Sequence, residues 1–118
     1  MNAQCSATIF QVNHVESAIH YYTVVLGFTV DFRYKDLAGL EYDSVLIYLS
    51  GPKQGAKRAI GQGSIYIFCD EVDQYFSEIS ARGAIFEIGI DDREYDMRDF
   101  AVKDPDGNIL TFGKSMAK

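Results

Sequence analysis

Tryptophan is absent from the 118 residues, and cysteine, proline and histidine occur only twice each. Cys5 and Cys69, far apart in sequence, are too few for a disulfide framework, so both are expected as free thiols in a reducing compartment. His14, at a strand-to-helix turn, and His20, on the helix that follows, offer no cluster for a metal ion and are expected to face solvent. No apolar run approaches the roughly 18 residues that a membrane-spanning helix needs. The start MNAQCSATIF lacks the basic opening and apolar stretch of a secretory signal. The chain is therefore expected in the cytoplasm, with no membrane partner. Cations are also scarce: 11 Lys and Arg stand against 17 Asp and Glu, a formal net charge of −6. That balance disfavours a nucleic-acid backbone as partner and favours a neutral or cationic ligand.

What the chain does contain is apolar and aromatic mass, with 47% hydrophobic residues, 8 Tyr and 8 Phe. That is enough for one well-cored globular unit and too much for disorder. A weak internal repeat organises it. The β-type run Ala7 to Asn13 precedes a helical pattern from Val15 to Leu26, with Ile19, Tyr22 and Leu26 at helical spacing, and Gly27 stops it. The same order recurs with the strand Ser64 to Asp70, the helix Val72 to Arg82 and the stop at Gly83. Ser64 lies 57 residues after Ala7, and Gly83 lies 56 after Gly27. Each half closes with further strands. In the first half, the stretch Thr29 to Tyr42 is expected to break near Ala38-Gly39, and Ser44 to Ser50 follows. In the second, Ala84 to Ile88 and Tyr95 to Lys103 lead through the turn DPDG into Asn108 to Gly113, where Leu110 and Phe112 share one face and Ile109 and Thr111 the other. Residues 51–63 (GPKQGAKRAIGQG) read as a link. The reading is an α+β fold: one unit over 1–118, built of two tandem βαβββ modules (about 5–50 and 64–114) whose sheets form a curved, partly closed mixed sheet with helices outside.

With this layout, the pieces YYTVVLGF (Tyr21 to Phe28), GSIYIFCDEVD (Gly63 to Asp73) and FAVKDPDGNILTF (Phe100 to Phe112) resemble the vicinal oxygen chelate superfamily, which includes glyoxalase I, extradiol dioxygenases, fosfomycin-resistance enzymes and bleomycin-resistance proteins. The resemblance implies, in the enzymes of that family, a divalent metal held from the first and last strands of both modules. Carried over, the four positions fall on Ala7, Ile47, Ser64 and Thr111. Alanine and isoleucine have no donor, and neutral hydroxyls are poor ligands for an isolated divalent site. The expectation is therefore no metal, no cofactor and no catalytic residue.

Among relatives, the chain looks closest to bleomycin-resistance proteins, which keep the fold without a catalytic metal and sequester the drug in crevices between two subunits. Leu26 to Ser50 and MRDFAVKDPDGN carry that similarity. Phe32 matches a pocket phenylalanine of that group, whereas Asp96 stands where it has a pocket tryptophan. Alternation places Tyr34 with Phe32, Arg98 with Asp96, and Tyr66 and Phe68 with Ser64. These six residues are the expected ligand-binding set, the ligand being a small molecule, cationic or planar aromatic, at a homodimer interface. Glu87, Asp91, Asp92, Glu94, Asp96 and Asp99 form either a solvated face or a carboxylate ring that attracts a cation. Two other functions remain open: an enzyme of the superfamily with an unfamiliar ligand set or no metal, for which Asp96, Arg98 and Tyr34 would be the converging groups, and a packed structural or interaction module.

Overall fold

In the first strand, β1 (Thr8–Gln11), Phe10 is buried and Ile9 exposed, as alternation requires. The structure is a computed structural model that describes residues 1–55 and 58–117; Ala56 and Lys57, inside the expected link, lie outside the described residues. His14 is exposed and has an extended backbone, and its Nδ1 accepts from the Ser17 N–H at 3.3 Å, capping α1 (Val15–His20). The helix then widens: over Tyr21–Val25 it makes π-type turns, with the Leu26 N–H donating five residues back to the Tyr21 carbonyl. The single helix expected up to Leu26 thus changes its winding, and the wider turn carries the consecutive Tyr21 and Tyr22 into the core.

Gly27, at φ 86°, and Gly83, at φ 93°, end the two helices in the left-handed region that glycine enters without strain. β2 (Thr29–Tyr34), β3 (Leu37–Tyr42) and β4 (Val45–Ser50) complete the first unit. The break expected at Ala38-Gly39 falls instead at Lys35-Asp36, where Lys35 takes φ 51°. Gly39 sits inside β3 because the Phe32 ring lies across it. The second unit runs β5 (Ser64–Phe68), α2 (Val72–Ala81), β6 (Ile85–Asp92), β7 (Met97–Lys103) and β8 (Ile109–Ser115).

The strands form two four-stranded mixed sheets of the same plan, β1-β4-β3-β2 and β5-β8-β7-β6, each with one parallel pair, β1 with β4 and β5 with β8. Among the described residues no ladder joins the sheets. They are united by a core that draws on both: Phe10, Val12, Tyr22, Leu26, Leu40, Ile47 and Leu49 from the first unit, and Ile79, Phe100, Val102 and Leu110 from the second. Polar contacts between the helices reinforce it. Tyr75 Oη donates to the Leu26 carbonyl at 2.5 Å, Arg82 Nη1 to the Val25 carbonyl at 3.1 Å, and the Ile85 N–H to Tyr21 Oη at 3.1 Å.

The turn Asp104-Pro105-Asp106-Gly107 is a second joint. Buried Asp104 accepts the N–H groups of Asp106, Gly107 and Asn108 on Oδ1, and Tyr22 Oη and Asn108 Nδ2 on Oδ2, at 2.8–3.0 Å. Asn108 Nδ2 also reaches the Gln11 carbonyl at 3.1 Å, and Asp106 Oδ1 takes the Asn13 N–H at 2.9 Å. The turn therefore pins β7 and β8 to the start of α1.

Candidate functional site

Alternation leaves each sheet a second face, turned away from the shared core. On the first sheet Ile9 pairs with Tyr48, Tyr48 with Gly39 and Gly39 with Phe32, placing all four on this open face. The Phe32 ring crosses Gly39, where a Cβ would stand 2.1 Å from it, and meets Tyr48 edge-on at 5.1 Å. Tyr34, two residues along β2, is on the same face and is 58% exposed. The expected pairing of Phe32 with Tyr34 therefore holds.

On the second sheet Tyr66 pairs with Thr111 and Phe68 with Gly113, which in turn pairs with Asp99. Ser64, Tyr66 and Phe68 share this open face, as expected. The Tyr66 side chain passes over Gly113, where a Cβ would lie 2.1 Å from its hydroxyl, and donates to Asp99 Oδ2 at 2.8 Å. Tyr95 Oη donates to the same oxygen at 2.7 Å, and Arg93 Nε to Oδ1 at 2.7 Å. Phe68 packs beside Tyr66 at 5.1 Å and is 77% exposed. No ring contact joins the Phe32–Tyr48 pair to the Tyr66–Phe68 pair among the described residues.

Asp99 is the electrostatic centre of this face. Burial pushes its carboxyl up, but the hydrogen bonds from Arg93, Tyr95 and Tyr66 outweigh burial and hold it below the usual carboxylate range. Burial, and then Asp99 itself, push the Tyr66 phenol well above its ordinary value. Around neutrality Asp99 therefore stays ionised and Tyr66 protonated, and the network works as a strut rather than a proton carrier. Because the folded-state pKa of Asp99 is depressed, its contribution is present above the unfolded value of about 3.9 and is lost as pH falls through the folded one. Asp99→Asn is expected to cost about 1–3 kcal/mol at pH 7, with the gap from the parent closing below about pH 4. Urea unfolding at a series of pH values checks this; a gap that does not depend on pH would contradict it.

Two expected residues lie elsewhere. Asp96 is not on β7: it occupies the turn before it at φ 62°, which resets the alternation on which its pairing with Arg98 rested. Arg98 is on the helix-covered side, with Nη2 2.8 Å from Asp73 of α2 and Nη1 2.9 Å from Asp92. The structure thus does not bring Asp96 or Arg98 together with Tyr66. The residues actually beside Tyr66, namely Arg93, Tyr95 and Asp99, enter the sequence reading only through Asp99 as one of six acids. The lone signal was a carboxylate alternating with apolar partners along a strand.

Of the four positions implied for a metal, the one on β4 shifts by one. Ile47 is fully buried against the helices, opposite Thr8, while the open-face neighbour of Ile9, and so the counterpart of Thr111, is Tyr48. A one-residue slip moves a strand residue to the other face, and β4 had been placed without its partner. The resulting set of Ala7, Tyr48, Ser64 and Thr111 contains neither imidazole nor carboxylate and does not fit a divalent metal.

Two cavities lie near these elements. A cleft of about 280 Å³ between the first strands of the two units is lined by Ser6, Thr8, Leu46, Tyr66 and Phe68. The larger, about 720 Å³, lies between the β3–β4 hairpin and α2, and of the six expected residues only Phe68 reaches it. No helix among the described residues is long and apolar enough to cross a membrane.

The family model of the Glyoxalase/Bleomycin resistance protein/Dioxygenase superfamily matches residues 5–112. No curated protein sequence gives a significant match. Among solved structures, a glyoxalase/bleomycin resistance protein/dioxygenase from Nocardioides superposes with a TM-score of 0.81 at 18% identity, covering 98% of this chain and 85% of that one. The bleomycin-binding protein of bleomycin-producing Streptomyces verticillus, complexed with copper(II)-bleomycin, gives 0.80 at 18% identity, covering 100% and 99%. Lactoylglutathione lyase from Agrobacterium tumefaciens gives 0.80 at 18% identity, covering 96% and 94%. At this identity the likeness is one of fold.

Proposed function

The chain belongs to the Glyoxalase/Bleomycin resistance protein/Dioxygenase superfamily, and from that premise we propose that it is a small-molecule-binding protein that works without a catalytic metal and rests its ligand on the open faces of its sheets. One observation carries the reading. Where a metal-binding relative would need converging donors, this chain lays two aromatic side chains over glycines, Phe32 over Gly39 and Tyr66 over Gly113, and ties Tyr66 down through Asp99. Such surfaces suit a planar aromatic ligand through stacking, and the net charge of −6 favours a cationic one. Phe32, Tyr34, Tyr66 and Phe68 are the contact residues of this proposal, the last two also lining the smaller cleft.

A second copy of the chain completes the site. Phe68, Tyr34, Ile88 and Ile9 are 77, 58, 52 and 47% exposed, and a homodimer that covers these faces would turn each into one wall of a crevice. Thermal unfolding of chelator-treated protein, with molar mass followed by sedimentation, tests both parts. Bleomycin or another planar cationic compound is expected to raise the midpoint saturably. Gly113→Ala, which displaces Tyr66, should weaken that effect. Zn²⁺, Ni²⁺, Mn²⁺ and Fe²⁺ should leave the midpoint unmoved. A saturable rise with a metal ion would overturn the proposal, and so would a strictly monomeric protein that no planar compound stabilises.

A further inference from the structure

The 720 Å³ cavity has a chemistry of its own, and of the open-face contact residues it meets only Phe68. Its wall is a continuous chain of aromatic rings drawn from both units. Phe28 meets Tyr42 at 5.4 Å, Tyr42 meets Tyr75 at 5.9 Å, and Tyr75 meets Phe112 at 4.9 Å. Around these rings stand Asp43 at the tip of the β3–β4 hairpin, Asp70 and Glu71 before α2, and Glu78 on α2. Among the described residues no lysine or arginine lines the cavity, although the Arg82 guanidinium stands close behind Tyr42. Glu78 is paired with Arg82 at 3.4 Å, whereas Asp43, Asp70 and Glu71 make no ion pair among the described residues.

The occupant follows from how these charges are spread. A hard divalent ion needs several oxygens converging on one point, and no three His, Cys, Asp or Glu among the described residues could hold one ion together. Carboxylates distributed around aromatic faces suit instead a bulky, weakly hydrated cation, whose diffuse charge is attracted by ring quadrupoles as well as by acids. A volume of about 720 Å³ is that of a small organic molecule rather than an ion. We propose that this crevice is a second binding site, for an organic ammonium ion carried on an apolar or aromatic body. It shares Phe68 with the open faces but does not rest on that reading, because Phe32, Tyr34 and Tyr66 take no part in it and its acids and other rings lie outside those faces.

Residues that seal the crevice also join the two units. Tyr75 uses its hydroxyl on the Leu26 carbonyl, so its ring position is fixed by the fold rather than by a ligand. Tyr42 Oη has no protein hydrogen-bond partner among the described residues, and it stands next to Asp43 and Ser44, leaving its oxygen dipole free to face a cationic head group. Cys69 lines the same space, half-buried, with its thiol raised by burial and by Asp70, and it supplies a reporter.

The test uses the full chain and benzyltrimethylammonium as probe, with benzyl alcohol as its neutral counterpart at equal ionic strength. Amide chemical shifts followed by NMR should saturate around Ser44, Cys69, Asp70 and Glu71 with the cation, at a dissociation constant on the order of millimolar, and not with the alcohol. In a Cys5→Ser background the cation should also slow alkylation of Cys69 by a neutral reagent. Asp70→Asn combined with Glu71→Gln, both near the surface and remote from the core, should weaken binding about tenfold. Equal binding of benzyl alcohol, or unchanged affinity in the double variant, would overturn the proposal. So would shifts confined to Phe32, Tyr48 and Tyr66, an outcome that leaves the open-face reading standing. Conversely, failure of planar compounds on the open faces would leave saturation at Cys69 and Glu71 untouched.

Discussion

Asp104→Ala should destabilise the protein by about 4 kcal/mol, among the largest effects of any single substitution outside the apolar core. Five donors converge on this one carboxylate, and three of them are backbone N–H groups that shape the turn. The fourth is Tyr22 Oη, from the wider turns that follow α1 in the other unit. Tyr22 is fully buried, so removing its acceptor strands a hydroxyl where water does not reach, at the full cost of its desolvation. The fifth, Asn108 Nδ2, also holds the Gln11 carbonyl, so its loosening frees the end of β1 from the turn before β8. Asp104→Asn should cost roughly half as much, because an amide oxygen still serves the turn while its NH₂ group cannot accept from Tyr22 or Asn108. Urea unfolding of both variants gives the comparison. A loss below about 1 kcal/mol for alanine would mean that the turn stands without its carboxylate.

The second large effect belongs to Phe100. Its ring stacks on Phe112 at 5.4 Å and touches Phe76 at 5.1 Å and Phe86 at 5.9 Å, so one side chain on β7 ties together β6, β8 and α2. Fully buried, it has no route by which solvent could fill the space it vacates. Phe100→Ala should therefore cost about 3–5 kcal/mol through lost transfer free energy and an unfilled cavity. Because Phe112 and Tyr75 line the acidic crevice and lean on this ring, the variant should also blur the near-ultraviolet circular dichroism of the tyrosines before global unfolding. Phe100→Leu, which keeps most of the volume, should recover the larger part of the stability and the spectrum. Chemical denaturation with both optical probes separates the outcomes, and an alanine variant within about 1 kcal/mol of the parent would contradict this account of the core.

Much of the fold was legible in the chain. Helix stops at Gly27 and Gly83, the reversal at Asp104 to Gly107 and the division of Leu110 and Phe112 from Thr111 all depend on local rules, backbone dihedrals and period-two alternation, which a short stretch of sequence already contains. The repeat and the family follow from such stretches taken in order. Where the reading slipped, it slipped on phase. Ile47 and Arg98 were each placed on the wrong face, the first by one residue of register and the second because Asp96 belongs to a turn with φ 62° rather than to the strand.

By itself, then, the sequence determined which segments are strands and helices, their twofold order, and the chemistry missing from the expected metal positions, since a residue's donors do not depend on where it sits. The tertiary structure alone decided which neighbours those residues meet. Only strand pairing sets Tyr48 beside Phe32 and Tyr66 over Gly113 against Asp99. Only the docking of the two units closes residues as distant as Phe28, Tyr42, Tyr75 and Phe112 into one acidic, aromatic crevice. Register and docking are fixed by the summed packing of both halves, a long-range quantity that no local pattern carries.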